Sequence, residues 1–354
     1  MKIKLGQALE YEQPTKYIVA SEKYKDEYET PVLTAGKSFI LGYTNETDGI
    51  YTNLPVIIFD DFTTDVKFVD FPFKVKSSAM KMLQPSSEEY NLKFFYYLIK
   101  FMNFQPTSHQ RHWISKFAEF EFDIPAKEKQ DEIVEKLDKL CEMLALKDKE
   151  LKKYDDLVKS QFIEMFGDRL TNTKQWQEKD LKDCVDFYNG KAHEQVVDKN
   201  GQYILVTSRC IASDMIDYRK TNALLFPLQK NDITMVMSDV PNGKAFAKCM
   251  LIDEDNKFTL NQRICCLRNY EFNPIYLLHL LNRHEYFLKF DDGNSQTNLR
   301  KNDLLGCNII IPPIELQNQF ADFVKHIDKL KFTIKESIEK LNLCYQSLMK
   351  EYFE

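Results

Sequence analysis

Two stretches of this chain share one alternation of apolar and charged positions, and its period is that of a helix. Between residues 124 and 168, Ile133, Leu137, Leu140, Leu144, Lys147, Leu151, Tyr154, Val158, Gln161 and Met165 fall at alternating spacings of four and three; eight of the ten are apolar or aromatic. Between residues 311 and 354 the series is Phe320, Val324, Ile327, Lys331, Ile334, Ile338, Leu341, Tyr345, Leu348 and Tyr352, with nine of ten apolar or aromatic. Spacings of four and three sustained over this length predict a coiled-coil seam rather than a helix lying on a globule. Both stretches open on Ile-Pro, at Ile124-Pro125 and Ile311-Pro312. Proline suits the first turn of a helix and not its interior. No Gly or Pro follows until Gly167 in the first stretch, and none follows Pro313 in the second. Gly167-Asp168 reads as a C-terminal stop. About 40 residues give a rod of roughly 60 Å. Lys147 and Lys331 interrupt the seam, and their stems are expected to snorkel to water, with a register-fixing role as the alternative.

The two stretches are also copies. Ile124-Pro125, Glu128, Gln130, Ser160, Glu164 and Phe166 recur at Ile311-Pro312, Glu315, Gln317, Ser347, Glu351 and Phe353, every pair 187 positions apart. A repeat held in register for this length implies two equivalent elements, and two copies in one chain allow a pseudo-two-fold molecule. One globular segment separates the rods, so the chain can return and pair them antiparallel.

Outside the rods the pattern changes to short strand-like runs and turns. Val56-Ile57-Ile58-Phe59 and Tyr17-Ile18-Val19 lie in residues 1–123; Tyr203-Ile204-Leu205-Val206 and Ile233-Thr234-Met235-Val236-Met237 lie in residues 169–310. Phe94–Ile99 and Ile275–Leu280 each read as an apolar helix late in their segment. Each is followed by a polar stretch, His109-Gln110-Arg111-His112-Trp113 and Ser295–Arg300. The predicted order is globule 1–123, helix 124–168, globule 169–310, helix 311–354. The fold class is α+β: two mixed α/β domains joined by two long helices that form an antiparallel coiled coil.

Composition narrows the function. Hydrophobic residues make up 44% of the chain, with 26 Phe and 18 Tyr, enough for sizeable cores. The net charge of −6 argues against a protein that is basic throughout. It leaves nucleic acid open, because counterion release depends on local Lys/Arg clusters. Eight scattered cysteines include no C-x-x-C pair, and adjacent Cys265-Cys266 is a poor disulfide or zinc pair. Buried reduced thiols in a cytoplasmic protein are the expectation. Met1–Gly6 lacks the apolar stretch of a signal peptide, and no run approaches the roughly 20 apolar residues of a membrane span.

Catalytic signatures are missing: no G-x-G-x-x-G, Walker loop, H-E-x-x-H or G-x-S-x-G occurs. No metal site is expected, because His109 and His112 have no nearby Cys or acidic ligand. Asp60-Asp61 and Asp65 read as a strand end and turn rather than a carboxylate cluster. Asn273-Pro274-Ile275-Tyr276 is similar to the adenine-clamping loop of amino-methyltransferases. Its second Pro is replaced by Ile, and the four residues read better as a helix start. What remains suits nucleic acid. Lys37, Gln110, Arg111 and His112 in the first globule, and Lys191, Lys244, Arg263, Gln296, Asn298, Arg300 and Lys301 in the second, are the candidate DNA contacts. Arg suits guanine edges, Asn or Gln adenine edges, and Lys phosphate.

At this point the residues resemble a known family, the specificity (S) subunits of Type I restriction-modification systems. The most specific stretch is Ile311-Pro312-Pro313-Ile314-Glu315-Leu316-Gln317-Asn318-Gln319-Phe320. Ile124-Pro125-Ala126-Lys127-Glu128-Lys129-Gln130 matches less fully, with Ala126 in place of the second Pro. Pro31–Lys37 through Phe59–Asp65, and Ser295–Arg300, are similar to sequences of first and second target recognition domains. The resemblance implies two such domains, each reading half of a bipartite, asymmetric duplex. It implies paired helices that fix the half-site spacing and dock two methylation (M) subunits, which bind S-adenosylmethionine and methylate adenine N6. Two restriction (R) subunits can add ATP- and Mg-dependent translocation and cleavage. The S chain itself would carry no cofactor and perform no chemistry. Ile133, Leu137, Leu140, Leu144, Leu151, Phe320, Val324, Ile327, Ile334, Ile338 and Leu341 are the candidate coiled-coil or partner-subunit interface. The competing reading is a coiled-coil adaptor with two protein- or glycan-binding end domains.

Overall fold

A computed structural model of the chain describes residues 2–34, 38–104, 111–240, 243–291, 293 and 296–354. The chain divides into two units, Met1–Asp148 with Glu336–Glu354, and Lys149–Lys335. Both long helices, Lys127–Phe166 and Ile314–Phe353, contribute residues to each unit.

The first unit is built on a four-stranded antiparallel sheet in the order Leu9–Glu12, Met80–Pro85, Val56–Asp60, Val66–Val69. A second sheet pairs Thr30–Leu33 with Ile40–Thr44 and, in parallel, with Lys74–Val75. A short ladder, Lys2–Lys4 with Glu121–Asp123, closes the module just before the long helix. Val56–Asp60 is buried at every position because both faces of its sheet are covered. Its side chains nevertheless alternate, as a pleat requires. Ile57 and Phe59 join the core beneath the helices, and Val56 and Ile58 join a second core on the opposite face.

The second unit repeats this plan. Its four-stranded sheet runs Asp186–Asn189, Ile264–Arg268, Ile233–Val236, Cys249–Leu251. Its three-stranded sheet pairs Tyr203–Val206 with Arg219–Thr221 and, in parallel, with Phe258–Leu260. Gln177–Asp180 and Asn308–Ile311 form the closing ladder. Adjacent Cys265 and Cys266 point to opposite faces of the sheet and enter different cores, so they cannot bridge. All eight cysteines are free thiols. Burial pushes the Cys265 and Cys307 thiols up to about 12.

Every predicted seam position of both helices is buried or half-buried. Within each unit the segments run antiparallel. In the second unit Asp155 faces Lys331, while Phe162 and Phe166, further along, meet the earlier Phe320. In the first, Lys136 lies beside Tyr352 and Cys141 beside Tyr345, and Ile133 and Leu137 share a core with Met349. Lys331 does not simply reach water: its ammonium pairs with Asp155 across the seam at 2.6 Å.

The duplicated glutamine explains how each module is seated on its helix. Gln130 is buried; its Nε2 donates to Pro125 O at 2.9 Å and its Oε1 accepts from Asn91 N–H at 2.8 Å. Asn91 caps the apolar helix Leu92–Met102, its side chain accepting from Lys93 and Phe94 N–H. Gln317 does the same with Pro312 O and Asn273 N–H, both at 2.9 Å, and Asn273 caps Pro274–Leu281. Asn273-Pro274-Ile275-Tyr276 is therefore a capped helix start with Pro at its first turn. Tyr276 is buried, its hydroxyl donating to Ile310 O.

Candidate nucleic-acid interface

In the second unit, several candidate contacts gather at one end of the four-stranded sheet. Asp186–Asn189 ends there, Ile264–Arg268 begins there, and Ile233–Val236 ends there, as the register Asn189↔Cys265 and Val236↔Ile264 requires. Lys191 follows the first strand and bridges in parallel to Asn261; Arg263 immediately precedes the second. Two glycines make the close approaches. A Cβ on Gly190 would lie 2.0 Å from Asn261 O, and one on Gly243 would lie 2.1 Å from the Asp239 carboxylate. Gly190 and Gly243 are thus required by the space around them, and each is followed by an exposed lysine, Lys191 and Lys244.

The turns are pinned from within. The buried His193 ring contacts Lys191 O at 2.7 Å and Thr259 Oγ1 at 2.9 Å. Asp239 accepts from Val240, Ala245 and Phe246 N–H at 2.8–3.0 Å. Arg283 donates to Lys244 O and Phe246 O. Ser238–Asp239 pairs with Thr297–Asn298, while Leu299 N–H donates to Met237 O and Met237 N–H to Arg263 O. Gln296, Asn298 and Arg300 are thereby strung along the same end, all exposed. Gln296 Nε2 already donates to Ser238 Oγ at 3.0 Å. Lys301 is exposed, with its ammonium 5.2 Å from the Phe187 ring centroid.

In the first unit the equivalent sheet end is anchored by Asp61. Its Oδ1 accepts from His112 and Trp113 N–H at 3.1 and 2.9 Å, and its backbone N–H donates to Ala79 O. Its Oδ2 lies 3.5 Å from the Lys81 ammonium, both side chains almost fully buried. Asp60 Oδ1 accepts from Phe62 and Thr63 N–H, so this acidic run is a strand end and turn. Among the described residues, no group of three or more His, Cys, Asp or Glu could hold a metal ion.

One candidate is corrected outright. His112 is fully buried, its ring 5.5 Å from Phe104, and Trp113 is buried edge-on against Phe59. The 111–113 segment turns inward because its backbone must reach Asp61, which leaves Arg111 as the exposed side chain. Lys37, His109 and Gln110 lie outside the described residues. Sequence reasoning missed Asp61, Lys81, His193, Asp239 and Arg283, the groups that hold the turns in place. Their partners lie tens of residues away, and no local pattern marks them. The pronounced groove of the second unit, about 750 Å³ beside Trp176, Phe272 and Pro312-Pro313, is elsewhere.

A module built twice, each copy ending in a cluster of turns and seated on paired helices, defines a two-module recognition protein. Residues 1–153 and 173–342 match the Type I restriction modification DNA specificity domain, and the chain belongs to that family. It is 32% identical over 365 residues to the Type I restriction enzyme EcoR124I/EcoR124II specificity subunit of Escherichia coli, spanning 95% of this chain and 88% of the relative. A putative Type I restriction enzyme MjaX specificity subunit of Methanocaldococcus jannaschii is 26% identical, over 50% of this chain and 45% of its own length. The fold is also that of the Type I S subunit from M. genitalium, with a TM-score of 0.61 at 16% identity, covering 100% of this chain and 96% of that one. A chain from a structural study of complex assembly and conformational transition in the type I R-M system gives 0.57 at 15% identity, covering 100% and 97%. The chain is a DNA-specificity subunit, a non-catalytic part of such a system. Among the described residues no helix is long and apolar enough to cross a membrane.

Proposed function

We propose that this chain reads a bipartite, asymmetric site in double-stranded DNA, one half with each unit, and presents that site to catalytic subunits. The observation that carries this reading is the repeated frame with unlike contents. The same sheet end is built twice, with Asp61 and Ala79 in one copy where Met237 and Arg263 stand in the other. A common frame carrying different side chains is what two half-sites of different sequence require. The reading divides the chain into target recognition domains 1–123 and 169–310 and helices 124–168 and 311–354.

The partners are two methylation subunits, which bind S-adenosylmethionine and methylate adenine N6, and two restriction subunits where the system includes them, which use ATP and Mg. The complex acts in the cytoplasm, and this chain carries no cofactor of its own. The seam residues, Ile133 to Leu151 and Phe320 to Leu341, are buried or half-buried. Partner docking then falls to exposed apolar side chains on the outer faces, such as Leu146 and Leu343 in the first unit and Ile163 and Phe332 in the second. With a net charge of −6, the isolated chain binds DNA weakly and salt-sensitively. An adaptor for protein or glycan, whose binding would be indifferent to salt, is not favoured by family membership.

The test is an exchange of residues 169–310 for those of a relative with a different site, in the complex reconstituted with its methylation subunits. Mapping methylated adenines should show one half-site replaced and the other retained. Loss or change of both halves together would contradict reading by separate modules.

A further inference from the structure

We propose that Arg263 is the side chain with which the second unit reads a guanine. The inference deepens the reading above and rests on it. Arg263 sits in the tight turn between Phe258–Leu260 and Ile264–Arg268, at a backbone φ of +67°. A β-carbon-bearing residue pays for that left-handed conformation, and such strain collects where position matters to function. The turn is fixed from several sides. Arg263 O accepts from Met237 N–H at 3.0 Å, Asn261 N–H donates to Val206 O at 3.1 Å, and Gln262 Nε2 donates to Glu194 Oε1 at 2.6 Å.

A second arginine in the same region shows what a structural role looks like. Arg283, also left-handed at φ +48°, spends its guanidinium on Lys244 O and Phe246 O. The Arg263 guanidinium is exposed and has no ion pair or hydrogen bond among the described residues. The nearby Asp239 carboxylate is occupied by three backbone N–H groups. An exposed planar fork carried on a fixed turn matches the O6/N7 edge of guanine in the major groove. Lys191, bridged to Asn261 beside it, suits the flanking phosphate. At the corresponding place in the first unit, Asp61 N–H donates to Ala79 O, and alanine has no such fork. This contact therefore has no counterpart at that place in the first unit.

Arg263→Gly is the decisive variant, because glycine accepts φ +67° and keeps the turn while removing the fork. Arg263→Lys keeps the charge and loses the planar pair of donors. Both are assayed in the complex with the methylation subunits, on a library randomised in both half-sites. The expected result is a relaxed preference at a single G·C position of the second half-site, by about 10- to 100-fold for glycine and only partly restored by lysine. The first half-site stays unchanged and controls for folding. An unaltered motif, or a loss uniform across all sequences with a shallower salt dependence, overturns the assignment and makes Arg263 at most a phosphate contact. If the wild-type complex yields no bipartite motif, the reading beneath the assignment fails, and the assignment with it.

Discussion

The residues that shape the interface are mostly charged side chains spent on backbone. Asp61 is the clearest case, because its carboxylate accepts from two backbone N–H groups and faces a buried lysine whose ammonium has no hydrogen bond among the described residues. Its removal strands that cation, so Asp61→Ala should cost about 3–5 kcal/mol. Lys81→Met should cost clearly less, since Asp61 keeps its backbone donors. Urea unfolding of the two variants decides, and equal or reversed costs would refute the anchoring role. Titration supplies a second prediction in the other unit. Burial, then the Arg169 charge, hold the His284 imidazole down at about 4, while its Nδ1 accepts from Tyr286 N–H. The unfolded chain protonates near 6.5 and the folded one near 4, so the unfolded state binds more protons between them. The stability from this group is present above 6.5 and is lost as pH falls toward 4. His284→Asn keeps the cap and should lessen the slope across that window, leaving the part due to His279, which burial also holds down at about 4; an unchanged slope would show that His284 is not a source of it.

At the scale of elements, the long helices were fully legible from sequence. Their code is local, a spacing of four and three written into contiguous residues, and the buried positions fall on it. The apolar helices Leu92–Met102 and Pro274–Leu281 were legible for the same reason, and Asn273-Pro274 marked one start. The repeated Gln130 and Gln317 stood out as a pattern but not as a device, because the amides they satisfy, at Asn91 and Asn273, come 39 and 44 residues earlier. Likewise His112 looked like a surface residue until Asp61, 51 residues away, drew its backbone inward. Gln317→Leu leaves Asn273 N–H and Pro312 O unpaired in a buried place, and should cost about 1–3 kcal/mol. Denaturant titration checks the cost, and a change within experimental error would mean that the closing ladder alone seats the module. Phe320, enclosed by Phe162, Phe166 and His279, makes the neighbouring packing contact that such a variant retains.

For the whole molecule the proposed claim is a ruler: paired helices convert a count of base pairs into a length. One heptad removed from each helix, at facing positions, shortens a helical rod by about 10 Å, or roughly three base pairs. Neither sheet end is touched by that change, so the letters of both half-sites should survive it. The direct measurement is sequencing of methylated adenines in DNA modified by the wild-type complex and by the doubly shortened one. The account predicts identical half-sites separated by a shorter spacer in the shortened complex. An active shortened complex that keeps the original spacer would contradict it.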